Sequence, residues 1–241
     1  VETMAELLDY FKNRKDQVII AEENYKYYGN NWEYYGATIR SKYRITKTDL
    51  SQRGTDFSIH TPQQKLEAFS PLYGVHQAKN LLPSLWLSNK LKLNVEKAAK
   101  TASTLPFISR RHEPTFGENN VLILDNSYNT NPDSMKVSLD LINQLKASQR
   151  FIVTLGFLEL GKRSAEEHLK LGQLLAKKVD YVGLIKSRWN DQVRIGFLKA
   201  GGDKSHFMIA TTPEEALDLL HGKIKSNSIV LMEGGYQEIF T

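Results

Sequence analysis

The 241-residue sequence predicts an α/β protein whose C-terminal part is a doubly wound, mostly parallel sheet, preceded by a second α/β part. Three observations predict it. Beyond Pro106, short apolar runs such as VLIL, FIVTLG, YVGLI, FMIA and IVLM alternate with amphipathic stretches. That is the rhythm of strands buried on both faces and of the helices that cover them. The helical stretches open on cap chemistry, with Thr212, Pro213 and Glu215 in one capping-box pattern and Ser164 with Glu167 in another. Before Pro106 the pattern is irregular, so a boundary there divides residues 1–105 from residues 106–241.

Taken in order, Met4 to Phe11 has helical spacing of apolar residues and Val18 to Ala21 is a short strand. The tyrosine-rich stretch YKYYGNNWEYYG follows, and irregular spacing with two glycines favours packing and turns there over stacking on bases. Strands are expected at Tyr43 to Ile45 and Phe57 to His60, joined through the polar turn TDLSQRGTD. Gly74 to Leu93 reads as a helix with Leu81, Leu82, Leu85, Leu87 and Leu91 near one face, and Val95 to Ala102 as another. Past the boundary, helices are expected at Pro132 to Leu145, Ser164 to Lys178, Trp189 to Lys199 and Pro213 to Ile224, between the five apolar strands. Right-handed crossovers wind such units into one sheet, whose ligands bind beyond the carboxyl ends of the strands. The segments DNSYNTNP and GFLELGKRS both fall there.

Composition narrows the function classes. A chain of this length buries roughly 70–75% of its unfolded surface and needs no disulfide or metal to fold. It has no cysteine, which excludes thiolate metal sites and cysteine nucleophiles. No segment approaches the roughly 18 apolar residues of a membrane span, and VETMAELLDYFKNRKDQ lacks the apolar centre of a signal peptide. A cytoplasmic protein is expected. The net charge of +5 comes from scattered lysines diluted by glutamates, so no nucleic-acid partner is expected.

Three stretches are more specific. GVHQAKNLLPSLWLSNKLKL resembles the G-x-H-N-x-x-N helix of the Mur ligase family. DNSYNTNPDSM resembles the D-D-x-Y-N-A-N-P-x-S-M signature of the branch that adds D-alanyl-D-alanine, and LGFLELGKRSAEEH its L-G-x-M-x-E-L-G-x-x-S-x-x-x-H segment. They occur in the family's order, with its R-x-E element supplied by Arg111, His112 and Glu113. The resemblance implies a Rossmann-like C-terminal domain over residues 106–241 and the last part of the central ATPase domain over residues 1–105. It implies part of a bacterial, ATP- and magnesium-dependent ligase of peptidoglycan precursors, which joins D-alanyl-D-alanine to a UDP-MurNAc-peptide through an acyl phosphate. No G-x-x-x-x-G-K-[ST] loop occurs in these 241 residues, so ATP phosphates would be cradled by a missing N-terminal half. Alone, the chain is expected to be inactive. The alternative is a non-catalytic, ligase-derived nucleotide-binding or regulatory module.

By the same resemblance, His76 and Asn80 would edge an adenine pocket, with a core histidine and a surface amide as the plain alternatives. Arg111 would reach the nucleotide, since a guanidinium suits phosphate through fixed donors, although Arg110 stands beside it. Asn126 takes the place of the signature's second aspartate and would contact a ribose, while Tyr128 and Asn129 would line the nucleotide site. Asn131 is expected at the substrate or as a helix cap before Pro132. Glu159 would receive a ligand ammonium. His168 shares a face with Leu171 and Leu175 and reads as packing. SIVLMEGGYQEIF resembles V-L-V-K-G-S-R, with Glu233 in the lysine position at the edge of the proposed dipeptide site. No residue is assigned to the chemical step or to a metal.

Overall fold

A computed structural model describes residues 2–234 of the chain, which divides into two compact units, Val1–Pro106 and Phe107–Thr241. In the first unit, α1 (Glu2–Tyr10), β1 (Ile19–Ala21), α2 (Tyr25–Tyr28) and β2 (Glu33–Gly36) are followed by β3 (Tyr43–Ser51), β4 (Gly54–His60) and β5 (Lys65–Ser70). Two helices follow, α3 (Val75–Lys90) and α4 (Val95–Thr101). The five strands form one sheet in chain order, parallel from β1 to β3 and antiparallel from β3 to β5.

The expected turn over TDLSQRGTD is corrected: most of it is strand, with β3 and β4 paired out to Ser51 and Gly54. Its polar sequence reflects the outer half of a hairpin, where β3 alternates at its start and is exposed from Thr46 to Asp49. Gly54 closes the hairpin at φ +135°, a backbone open to glycine, and a Cβ there would meet the Ser70 carbonyl at 2.3 Å. The face expected on α3 also shifts. Ala78, Leu82, Leu85 and Trp86 are buried against Tyr43, Ile45, Phe57 and Ile59, while Leu87 and Leu91 are exposed.

Glu22 ties down the loop between β2 and β3. Its carboxylate accepts hydrogen bonds from the backbone N–H groups of Ala37 (2.7 Å) and Thr38 (2.8 Å) and from the hydroxyls of Thr38 and Ser41. Partial burial alone would raise its pKa, but these four donors outweigh it and hold the carboxyl at about 2.

In the second unit, β6 (Glu113–Phe116) and β7 (Leu122–Asn126) lead to α5 (Pro132–Gln144), β8 (Arg150–Thr154), α6 (Ser164–Lys178) and β9 (Tyr181–Ile185). Then come α7 (Asn190–Lys199), β10 (Phe207–Ala210), α8 (Pro213–His221) and β11 (Ile229–Glu233). The sheet order is β10-β9-β8-β11-β7-β6, parallel except for the β6 edge. The alternating strands and helices are those of the sequence reading, with β6 added. β11 returns between β7 and β8, so the carboxyl ends of these three central strands lie side by side, with Asn126, Glu233 and Thr154 in register.

Leu122, Leu124, Phe151, Ile152, Val153, Leu184 and Val230 are all buried, as a sheet covered on both faces requires. α6 and α7 cross at two glycines. A Cβ on Gly172 would come within 1.9 Å of the Val193 carbonyl, and one on Gly196 within 2.0 Å of the Leu169 carbonyl. The Thr212 cap forms, with its hydroxyl accepting the Glu215 N–H at 3.1 Å. The Ser164 capping box does not: Ser164 is the first residue of α6, and its hydroxyl donates to the Gly161 carbonyl at 2.9 Å.

Candidate functional site

The loop after β7 is built from two helical and strand-end constraints. Asn131 caps α5: its Oδ1 accepts the Ser134 N–H at 2.9 Å, and its own N–H donates to Ser134 Oγ at 2.8 Å. With Pro132 at the first helical position, this fixes where the chain turns down from the sheet end. The expected cap is thus present, and Asn131 has its carboxamide oxygen committed to it.

Arg110 and Arg111 separate clearly. Arg110 sits at φ +62°, donates from Nε to Ser127 Oγ at 3.0 Å and from a terminal nitrogen to the Ser127 carbonyl at 2.8 Å. It latches the loop. Arg111 is exposed, with its guanidinium 4.3 Å from the centre of the exposed Tyr128 ring. Asn129 is exposed beside Tyr128. Arginine, phenol and carboxamide therefore stand together at the carboxyl end of β7, a group able to meet phosphate, a ring face and a polar edge.

Asn126 and Glu233 are corrections to the sequence reading. Asn126 is 5% exposed, and its Nδ2 donates to Glu233 Oε2 at 2.9 Å and to Ser138 Oγ at 3.2 Å. It points into the sheet end because parallel register sets it opposite Glu233 on β11. Turned inward, it is not placed to meet a ribose. Glu233, expected at the edge of a dipeptide site, is fully buried and also accepts the Thr130 hydroxyl at 2.7 Å. Burial pushes its carboxyl up to about 7, against the pull of Asn126, Thr130, Ser138 and the Arg111 charge. His112 joins the cluster, with Nε2 2.9 Å from Ser138 Oγ. The end of the SIVLMEGGYQEIF segment, beyond Gly234, lies outside the described residues.

Beyond β8, His168 is buried and holds the next loop. Its Nδ1 donates to the Ser164 carbonyl at 2.6 Å and its Nε2 accepts the Phe157 N–H at 3.1 Å, which fixes the neutral tautomer. Burial, aided by the Arg188 charge, lowers its pKa, while the bond to the Ser164 carbonyl opposes this. Gly156, at φ +84°, leaves room for the ring, since a Cβ would meet His168 Nε2 at 2.8 Å. The sequence-expected packing of His168 with Leu171 and Leu175 on one helix face is present, with this positioning role added.

The loop so held lines a cavity of about 280 Å³ with Phe157, Glu159, Ser187, Arg188 and Trp189. Glu159 is exposed and left-handed at φ +56°. Arg188 lies 4.7 Å over the Trp189 ring. One carboxylate and one guanidinium on a small cavity suit a small zwitterion. Glu159 was legible in the sequence and Arg188 was not; its signal was its place three residues after the apolar run YVGLI, beyond the carboxyl end of β9.

In the first unit, His76 and Asn80 lie one turn apart on α3, His76 half-buried with its pKa lowered by burial, Asn80 exposed. Among the described residues no three His, Asp or Glu side chains converge as a metal cage, and no helix is long and apolar enough to cross a membrane.

The family described as Mur ligase, glutamate ligase domain matches residues 110–235, more than half of the chain. The UDP-N-acetylmuramoyl-tripeptide–D-alanyl-D-alanine ligase of Escherichia coli strain K12 is 26% identical over 142 residues, 59% of this chain and 31% of that enzyme. The same ligase of Mycobacterium leprae is 26% identical over 200 residues, 75% of this chain and 38% of that one. Among solved structures, MurF of Thermotoga maritima in complex with ADP has a TM-score of 0.73 at 19% identity, covering 90% of this chain and 48% of its own. A MurF of Acinetobacter baumannii gives 0.72 at 21%, covering 86% and 44%. The chain spans about a third of the length of these two relatives. By the matched span and the fold, this chain belongs to the Mur ligase family.

Proposed function

We propose that the chain is the C-terminal portion of an ATP-dependent amide ligase of peptidoglycan precursor synthesis, closest in kind to those that add D-alanyl-D-alanine to a UDP-MurNAc-peptide. Residues 1–105 would be the end of the central ATPase domain and residues 106–241 the C-terminal domain. In such a reaction ATP phosphorylates the peptide carboxylate, and the dipeptide amine attacks the acyl phosphate, forming the amide and releasing phosphate. The observation that carries the reading is the exposed Arg111 guanidinium over Tyr128 at the carboxyl end of β7, with Arg110 tied to the backbone instead. An exposed guanidinium can meet nucleotide phosphate and neutralise its charge, while Asn129 supplies a polar edge beside it. His76 and Asn80, in the first unit, are proposed separately as groups for an adenine edge. When bound, ATP supplies the phosphoryl group. Magnesium, for which these residues offer no cage, would be held by the rest of the ligase.

The cavity beside Glu159 and Arg188 is assigned to the amine donor. Glu159 would receive the D-alanyl-D-alanine ammonium and Arg188 its carboxylate, orienting the amine for attack. Phosphate release is the test. The chain alone, given ATP, magnesium and D-alanyl-D-alanine, is expected to release none above background, and D-alanyl-D-alanine-stimulated release would refute the proposal.

A second reading, a ligase-derived binding module without chemistry, is favoured by one observation, the Asn126–Glu233 pair at the end of the central strands. Under that reading the chain binds no D-alanyl-D-alanine, and Glu159→Gln or Arg188→Gln changes nothing.

A further inference from the structure

The first unit contains a cavity of about 610 Å³ that the proposed ligase function does not use. It lies between the β2–β3 loop, the start of β3, His60 with Pro62 and Gln63 after β4, and the C-terminal turn of α3. Five cations line it, Arg40, Lys42, Arg44, Lys90 and Lys92, against one carboxylate, Glu33. That carboxylate is already engaged: it accepts Lys42 Nζ at 2.8 Å and Trp86 Nε1 at 2.8 Å, and these bonds and the Lys42 and Lys90 charges lower its pKa despite burial. Among the described residues, Lys42 is the one cation of the five in an ion pair.

The chain thus holds four further positive charges around one concavity. Like charges so gathered repel one another, and the contacts of Arg40 over the Tyr25 ring, Lys90 over the Trp86 ring and Arg44 with the Ser41 carbonyl leave their charges unneutralised. The polar lining points the same way. The Tyr43 hydroxyl is buried on this cavity with no partner at full hydrogen-bond geometry, the Asn89 carboxamide being the polar group beside it. His60, its pKa lowered by burial and by the Arg44 and Lys65 charges, adds an imidazole to the lining.

We propose that this cavity binds a compact oligophosphate, an anion with two or more linked phosphate groups. The volume suits a small ligand. Forked arginine donors and mobile ammonium groups match phosphate oxygens. Stacking contributes little, because Trp86 and Tyr43 are buried and Trp86 has its N–H bonded to Glu33. The ligand is therefore read by charge rather than by a base, and its source is either free oligophosphate or the phosphate chain of a nucleotide.

The test is calorimetric titration of the whole chain with sodium tripolyphosphate, and separately with ADP, at low salt. Saturable tripolyphosphate binding is expected, weakened at least about tenfold by Lys90→Gln/Lys92→Gln, two exposed positions, and unchanged by Arg111→Ala in the other unit. ADP binding with the same Lys90 and Lys92 dependence assigns the phosphate chain of a nucleotide as the source. ADP binding without that dependence assigns free oligophosphate. Absence of saturable tripolyphosphate binding, full retention in the lysine double variant, or binding of single-stranded RNA far tighter than tripolyphosphate and abolished by the same double variant would each overturn the proposal.

Discussion

Asn126 and Glu233, 107 positions apart, face each other at the ends of adjacent parallel strands with 2.9 Å between Nδ2 and Oε2. In the family segments they resemble, these positions carry aspartate and lysine. Two departures that look independent in sequence meet at one contact, a carboxylate on β11 against a neutral amide on β7. Asn126→Asp alone sets two carboxylates face to face and is expected to destabilise the fold by about 2–4 kcal/mol at pH 8, and by less at pH 5. Glu233→Lys alone buries an ammonium against an amide and is expected to cost as much. The double variant restores an ion pair, so a double-mutant cycle by urea denaturation should return a favourable coupling of about 2 kcal/mol or more. Additive losses would show that the residues act separately.

The buried Glu233 carboxyl also sets a pH dependence. Its pKa rises from 4.5 to about 7 on folding, so between those values the folded chain holds a proton that the unfolded chain has lost. Stability from this group falls as pH rises from about 4.5 to about 7 and is level above, by an amount on the order of 3 kcal/mol. Glu233→Gln should flatten that slope in urea denaturation between pH 5 and 8. An unchanged slope in the variant would mean the carboxyl is ionised in the fold.

Arg110 and Arg111 should part experimentally as they do structurally. Arg110→Ala leaves the Ser127 carbonyl without its charged donor and is expected to cost about 1–3 kcal/mol in thermal or chemical denaturation. Arg111→Ala removes an exposed side chain over Tyr128 and should leave stability within about 0.5 kcal/mol. Similar losses in both would contradict the separation of their roles.

The sequence made the second unit largely legible, because strands buried on both faces and helices with Asn131-Pro132 and Thr212-Pro213 starts are set locally. Residues whose meaning depends on a distant strand were not legible. Asn126 turned inward because β11 inserts beside β7, a placement no local pattern encodes. The first unit was harder for the opposite reason. In the outer half of the β3–β4 hairpin, β3 is exposed from Thr46 to Asp49 and β4 buries Gly54 and Thr55 rather than apolar side chains, so no apolar period-two pattern is written and the strands read as turn. Arg188 joins Glu159 only through the neighbouring ends of β8 and β9.

His168 should behave as a positioning residue. His168→Ala leaves the Phe157 N–H unpaired beside a cavity and removes a second bond from the Ser164 carbonyl, at an expected cost of about 2–4 kcal/mol. Its lowered pKa means that the stability it contributes is present above about pH 6.5 and is lost as pH falls below that value through the folded pKa. Hydrogen exchange at the Phe157 amide should therefore show less protection at pH 5.5 than at pH 7, after correction for intrinsic rates. Equal protection at both would remove the histidine from control of this loop.

Whether Arg111 serves a nucleotide is decided by titration of ADP followed by amide NMR in the native chain and in Arg111→Ala. Shifts at Tyr128 and Asn129 are expected, with an affinity at least about tenfold lower in the variant, the worth of one charge-assisted contact. Equal affinity in the two proteins would contradict that role.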